Sequence, residues 1–273
     1  MKRKPLKIIA IVLAVVIIGV AGFFLNAFFG NPVSKTLAEL TAEKHLSEVY
    51  ADTDFEIENV IYDFKVSAYY VNIISPSSKD SYFDIACDFF GRLVYDSYES
   101  RVLSGENTAR RLENEYNDAV REVLQGDDFP YECEIGFGDV NFNTEDFEAS
   151  ADTPGYAIIF ETLELDKSYD MKEIGTQAGH LYVYLNVEEI TEEQMAKVLL
   201  DLKNAMDKAG VTFCSVDCQL ENNEKETSLS VREFLYSDIY EENLTQRVKK
   251  SVEETRAYYE SMDKEAEVVL DEK

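Results

Sequence analysis

The sequence predicts an α+β protein: an N-terminal transmembrane helix followed by two small α+β domains, the first a helix with an antiparallel meander, the second a mixed β-α-β-β-α arrangement. Three observations carry this. The run from Ile8 to Phe29 contains no ionisable side chain. Stretches such as Ser81–Cys87 and Leu181–Val187 alternate apolar and polar residues with the period of a strand. Between them lie stripes with helical period, the clearest opening at Thr191 behind a capping signal.

As a helix the apolar run reaches ~33 Å, about the hydrocarbon thickness of a bilayer. Residues 1–7 form a basic tail with Lys2, Arg3, Lys4 and Lys7, whereas only Lys35 and Lys44 follow the run closely. That bias places the N-terminus in the cytoplasm and everything after Gly30 outside, in a single-pass cell-membrane protein whose first partner, through residues 8–29, is the lipid bilayer. A cleaved secretory signal shares the basic start, but its apolar core is usually ~7–15 residues and ends in small residues. Here the run closes on Phe23-Phe24-Leu25-Asn26-Ala27-Phe28-Phe29, which suits a bilayer interface better than a cleavage site.

The first domain is expected over 31–125. Asn31-Pro32-Val33-Ser34 opens a helix in which Ala38, Ala42, His45, Leu46 and Val49 share a face. Four strands follow, at 55–64, 69–75, 81–87 and 92–98, the second and third joined by the loop Ser-Pro-Ser-Ser-Lys-Asp at 75–80. The apolar phase of the first strand changes between Ile57 and Val60, which predicts a bulge near Glu58-Asn59. Asn107 is expected to cap a helix carrying Leu112, Tyr116, Val120 and Leu124, stopped at Gln125-Gly126.

Composition turns acidic over 126–155, which suggests a connecting region. Its Asp127-Asp128 and Asn143-Thr144-Glu145-Asp146 lack the alternating oxygen ligands and central glycine of a tight calcium loop, so they are expected to be solvated. The second domain, 156–263, begins with a strand at 156–165 and a short helix near 169–177, then the strand Leu181–Val187. In the next helix Thr191 is the cap, with Gln194 placed to return to it. Strands at 211–220 and 228–236 and a last helix from Asn243 complete it, and residues 264–273 read as a frayed tail.

The step Gly30–Lys35, the helix ending near Tyr50, the segment Thr53-Asp54-Phe55-Glu56-Ile57, the strand Tyr69-Tyr70-Val71 and the loop Ser75–Ser78 together resemble the N-terminal domain of the YfjL-like proteins, over roughly residues 30–125. The span Tyr156–Met262 is similar to the C-terminal domain of the same group. This family comprises single-pass Gram-positive envelope proteins without an assigned activity. The resemblance implies the topology and compartment and brings no functional residues.

With 54 Asp and Glu against 26 Lys and Arg, the formal charge is −28. Such a surface repels nucleic-acid phosphates, which excludes nucleic acid as a natural partner and favours a cationic one. The cysteines Cys87, Cys133, Cys214 and Cys218 have no zinc-like spacing. Cys214 and Cys218, four apart on one strand, lie ~13 Å apart and cannot bridge each other, while disulfides to other partners remain open. Of the two histidines, His45 sits on an apolar helix face and His180 at a strand start. No nucleophile elbow, phosphate loop, HExxH or dinucleotide fingerprint occurs, so no catalytic residue, metal site or cofactor is expected. Aromatic residues suggest a candidate contact surface, Tyr182 and Tyr184 on the strand face opposite Leu181, Val183 and Leu185, with Tyr69, Tyr70, Ser77 and Ser78 as further candidates; the alternative, which the pattern favours, is a sheet covered by helices on both sides with the tyrosines semi-buried and their hydroxyls at the rim. The function expected is that of a membrane-anchored extracytoplasmic binding protein, with an envelope protein as partner; the alternative is a cell-envelope hydrolase or an inhibitor of one.

Overall fold

The computed structural model describes residues 3–145 and 155–271. Lys2 of the basic tail, Asp146 of the second acidic stretch and the last two residues of the tail lie outside the described residues. The first helix, α1 (Arg3–Phe29), is long and apolar enough to cross a membrane, with mean hydropathy 2.5 in its most apolar window and none of that window buried. The chain divides into two units, Met1–Asn107 and Thr108–Lys273.

In the first unit α1 is followed by α2 (Pro32–Val49), whose N-cap is Asn31: its side-chain oxygen accepts the Ser34 amide at 2.8 Å, and Pro32 takes the first helical position, where its missing N–H costs nothing. Ala38 and Ala42 are fully buried, and their small side chains let α2 lie close on a sheet. That sheet is the meander β1 (Glu56–Asp63), β2 (Ala68–Ser75), β3 (Ser78–Cys87), β4 (Leu93–Asp96), in the order β1-β2-β3-β4. The register shift lies between Ile57 and Asn59, where the change of apolar phase predicted the bulge. Tyr69, Val71, Ile73, Phe83 and Ile85 meet α2 in the core. Tyr50 closes one end with Phe55, Phe83 and Tyr98, ring centroids 5.0–5.5 Å away, and His45 Nε2 lies 2.7 Å from Asp96 Oδ2.

The second unit begins with all but the first two residues of α3 (Glu106–Leu124). This corrects the expected boundary at residue 125: Leu112, Tyr116 and Val120 are fully buried in the second core, so burial carries the helix there. Asn107 is not its cap; its side-chain amide donates to the Asp80 and Tyr82 carbonyls instead, at 2.8 and 2.6 Å. The acidic stretch is also more than a connection, for it contains β5 (Cys133–Val140). Of the expected strand at 156–165 only β7 (Ile158–Ile159) pairs, in parallel with β6 (Phe142–Asn143), before a 3₁₀ turn at Phe160–Thr162. Then come α4 (Met171–Ala178), β8 (Gly179–Asn186), α5 (Glu192–Ala209), β9 (Ser215–Asn222), β10 (Thr227–Leu235) and α6 (Leu244–Asp271). The backbone of α6 is helical through Asp271, beyond the point where the sequence suggested fraying.

The second sheet runs β10-β9-β8-β5, with β8 and β9 parallel across α5 and both outer pairs antiparallel. One face, Leu181, Val183, Leu185, Val216, Cys218 and Leu220, is buried with Met195, Val198, Leu199 and Leu202 of α5 and Tyr116 and Val120 of α3. The Thr191 cap is realised: its Oγ1 accepts the Gln194 amide at 3.1 Å. At the other end of α5, Gly210 has φ +73°, a left-handed cap that costs a side-chain-bearing residue about 1 kcal/mol or more.

Candidate functional site

The opposite face of the second sheet is where sequence and structure meet. Because side chains alternate along a strand, the register sets Phe137 of β5 beside Tyr182 of β8 and Asp217 of β9, and His180 beside Asp139 and Ser215. The Phe137 and Tyr182 rings stack with centroids 4.6 Å apart at 23°, and the His180 ring meets Tyr182 edge-on at 4.6 Å. Tyr184 follows on the same face. Both tyrosines are half-buried, and burial raises both phenol pKa values, with the Asp217 charge adding to it.

Beside the stack lies a polar network that sequence reasoning missed. His180 Nδ1 is 2.6 Å from Ser215 Oγ, and its Nε2 is 3.3 Å from Asp217 Oδ1. The Tyr156 hydroxyl shares the Ser215 oxygen and reaches His180 Nδ1 at 3.3 Å. Asp217 Oδ1 also accepts the Glu233 amide at 2.7 Å, where β10 bulges. Serine, histidine and aspartate in sequence of contact invite comparison with an acyl-transfer triad, but a nucleophile must face a substrate. Ser215 is 0% exposed and its oxygen is already engaged twice, so the network is closed on itself. Burial holds the Tyr156 phenol up to about 12, protonated and able to donate within the network.

Phe137 also lines an open groove of about 900 Å³ between β5, the end of α3 and the loop 125–132. Among the described residues β5 is an outer strand of its sheet, paired with β8. Tyr131 stands on the groove wall, its hydroxyl donating to Asp201 Oδ2 and accepting from Lys197 Nζ, both at 2.8 Å. Glu132 and Glu134 make the lining acidic, and Glu134 is protonated more readily than a free glutamate because Glu221 bonds to it.

The remaining candidates lie in the first unit. Tyr69 is corrected: it is 2% exposed, a core residue whose hydroxyl accepts the Asn31 amide at 2.8 Å. Its neighbour Tyr70 necessarily points the other way, half-buried, and its phenol pKa is raised first by a hydrogen bond with Tyr95. The expected six-residue loop tightens to a two-residue turn, Pro76-Ser77, because Ser75 pairs with Ser78. Asp54 accepts from the Ser75 hydroxyl (2.6 Å) and the Ser77 amide (3.1 Å), and Ser78 Oγ from the Ser81 amide (2.9 Å), so the turn uses its own polar groups. Those bonds, Ser75 first, hold the Asp54 carboxyl below the usual range.

Among the described residues no group of three His, Cys, Asp or Glu side chains is placed to hold a metal ion. The four cysteines are free thiols. Cys214 precedes β9 instead of sharing the strand with Cys218, and its Sγ donates to the Thr176 carbonyl at 2.9 Å.

The second sheet thus carries an apolar, helix-packed face, an aromatic stack on the other face and a groove along its outer strand. Family comparison gives the chain its place: residues 5–97 match the YfjL-like N-terminal domain and residues 115–249 the YfjL-like C-terminal domain, and the chain belongs to this YfjL-like family. No curated protein matches it. Among solved structures, the crystal structure of a DUF5037 family protein from Ruminococcus gnavus ATCC 29149 aligns at 13% identity over 77% of this chain and 98% of that one, with a TM-score of 0.23, a likeness too slight to bear on fold or function.

Proposed function

We propose that the protein is a membrane-anchored extracytoplasmic binding protein, held by α1 with its N-terminus in the cytoplasm, and that it takes an extended, basic segment of an envelope protein along the β5 side of its second sheet. The observation that carries this reading is the double role of Phe137, which lines the groove and stacks on Tyr182. A segment lying in the groove therefore continues onto a ready aromatic platform, and the outer strand offers it backbone groups to pair with. Aromatic surface of this kind supplies contact area at small entropic cost. The acidic groove and the formal charge of −28 favour a basic segment. The retained anchor is supported by the aromatic end of the apolar run and the basic residues before it.

The test is a photo-crosslinking amino acid introduced on intact cells at position 137 or, as control, at position 77. A defined protein captured from 137 and not from 77, and lost when Tyr182→Ala and Tyr184→Ala are added, is the expected result. Equal capture from both positions, or capture indifferent to those substitutions, refutes the assignment.

A further inference from the structure

The first unit presents an apolar surface that its own core leaves uncovered. Residues 64–67 connect β1 to β2, and 88–92 connect β3 to β4; because Tyr69 pairs with Cys87, both turns lie at the same end of the sheet. The chain leaves α1 at that end as well. The Tyr62 hydroxyl donates to the Ala27 carbonyl at 3.2 Å, the Asn31 amide to Tyr69, and the Phe28 and Phe64 rings are 5.8 Å apart. Thr41 Oγ1 bonds the Gly91 carbonyl at 2.5 Å, so α2 braces the second turn. Gly91 has φ +72° and rests on Leu37, leaving no room for a side chain there.

These turns and the start of α2 expose large apolar side chains. Phe64 is 50% exposed, Val66 60%, Phe90 68% and Val33, at the start of α2, 69%. In a chain with two acids per base, the tips Phe64-Lys65-Val66-Ser67 and Phe89-Phe90-Gly91-Arg92 hold no acid and one cation each. The flanking acids are turned onto the turns themselves. Asp63 accepts the Lys65 amide at 2.8 Å; Asp88 accepts the Phe90 and Arg92 amides at 2.8 and 2.9 Å and Arg92 Nε at 2.6 Å. Those bonds, the Arg92 amide first, hold the Asp88 carboxyl below its usual range. The Arg92 guanidinium lies 5.4 Å from the Phe90 ring centre. Aromatic rings backed by cations are the composition that favours the headgroup layer of a bilayer, the cation reaching phosphate while the ring sits lower.

We infer that the two turns seat in the outer-leaflet interface, a second membrane contact that holds the first unit against the lipid instead of letting it swing on α1. This rests on the anchor reading above, and the surface is continuous with the end of that anchor.

The chain contains no tryptophan, so Phe64→Trp, Phe90→Trp and, at the opposite end of the sheet, Ser77→Trp each create a lone reporter at an exposed site. The full chain is reconstituted in phosphatidylcholine–phosphatidylglycerol vesicles, with and without lipids brominated near the headgroup. A seated turn gives blue-shifted emission at 64 and 90, quenched at least about two-fold by bromine, and neither effect at 77. Protein that floats with the vesicles but whose residue-90 reporter is unquenched refutes the seat and leaves the anchor standing; a blue shift insensitive to bromine does the same and points to a protein cover. Protein that does not float refutes both. Unchanged circular dichroism in each variant establishes that the fold is retained.

Discussion

Replacing Gly175 by alanine sets two physical rules against each other. In the interior of α4, alanine should stabilise, since glycine costs a helix about 1 kcal/mol. The structure predicts the opposite sign. A Cβ at position 175 would stand 1.9 Å from the Thr212 carbonyl oxygen and 2.7 Å from its carbon, whereas ordinary contact begins at 3.4 Å. Helix and strand lead-in would have to part by about 1.5 Å, the difference between the observed and ordinary distances. Such overpacking costs about 1–3 kcal/mol. The Thr212 carbonyl also accepts the buried Tyr116 hydroxyl at 2.7 Å, and the Thr212 hydroxyl bonds Lys172 O and Thr176 Oγ1, both at 2.7 Å. Losing the Tyr116 bond adds about 1–3 kcal/mol. Net of propensity, Gly175→Ala should cost about 1–5 kcal/mol, lowering Tm by roughly 2–20 °C at ~2–4 °C per kcal/mol for a unit of this size. Urea unfolding of the full chain in detergent, followed by circular dichroism, reads the difference. Adding Tyr116→Phe to Gly175→Ala should cost less than Tyr116→Phe does in the parent, because the shared bond is already broken. Stability equal to or above that of the parent, or strictly additive costs, would show that α4 does not press on Thr212.

Two further outcomes follow from buried polar groups. Burial pushes the thiols of Cys87 and Cys133 up to about 11, above the ~8.5 of an unfolded cysteine; their contribution is complete below that value and is lost as pH rises toward 11, so Tm should be level from about pH 6 to 8 and fall between about 9 and 11, and a Tm constant through pH 10.5 refutes it. Ser215→Ala should lower stability by about 1–2 kcal/mol, since His180 and Tyr156 lose a common buried partner; a hydrolytic turnover abolished by this change at unaltered stability would make the serine a nucleophile after all.

Much of the fold was legible because local chemistry and tertiary demand agree. Asn31-Pro32 and Thr191 start helices by mechanisms that need only neighbouring residues. The meander strands show their dry face directly in Phe83, Ile85 and Cys87. β5 was hidden because two glycines, Gly136 and Gly138, interrupt its alternation. A Cβ at 138 would meet Val120 at 2.6 Å and Tyr116 at 2.8 Å, so the glycine is demanded by a helix whose place no local pattern announces. With β5 unseen, the second boundary was misplaced and α3 assigned to the wrong unit. Tyr182 and Tyr184 could be put on the correct face from alternation alone. Ser215, Asp217 and Tyr156 could not, since Ser215 meets His180 only once β8 and β9 are known to pair in parallel, 35 residues apart.

Charge gives the two proposed contacts opposite characters. Residues 30–107 of the first unit carry 14 Asp and Glu against 6 Lys and Arg, and such a surface is repelled by anionic headgroups within the ~8 Å over which fields persist at physiological salt. The first unit could not approach such a bilayer broadside. It can approach at the end where Asp63 and Asp88 are bound to their own turns, and where exposed Lys65 and exposed Arg92, the latter ion-paired with Asp88, stand beside apolar side chains. Segregation of charge along the sheet thus selects one orientation by repulsion elsewhere as much as by attraction at the tips. The same acidity at the β5 groove selects a basic partner, and there the contact should weaken with added salt. The apolar seat of the turns should persist, because burial of aromatic surface is not screened.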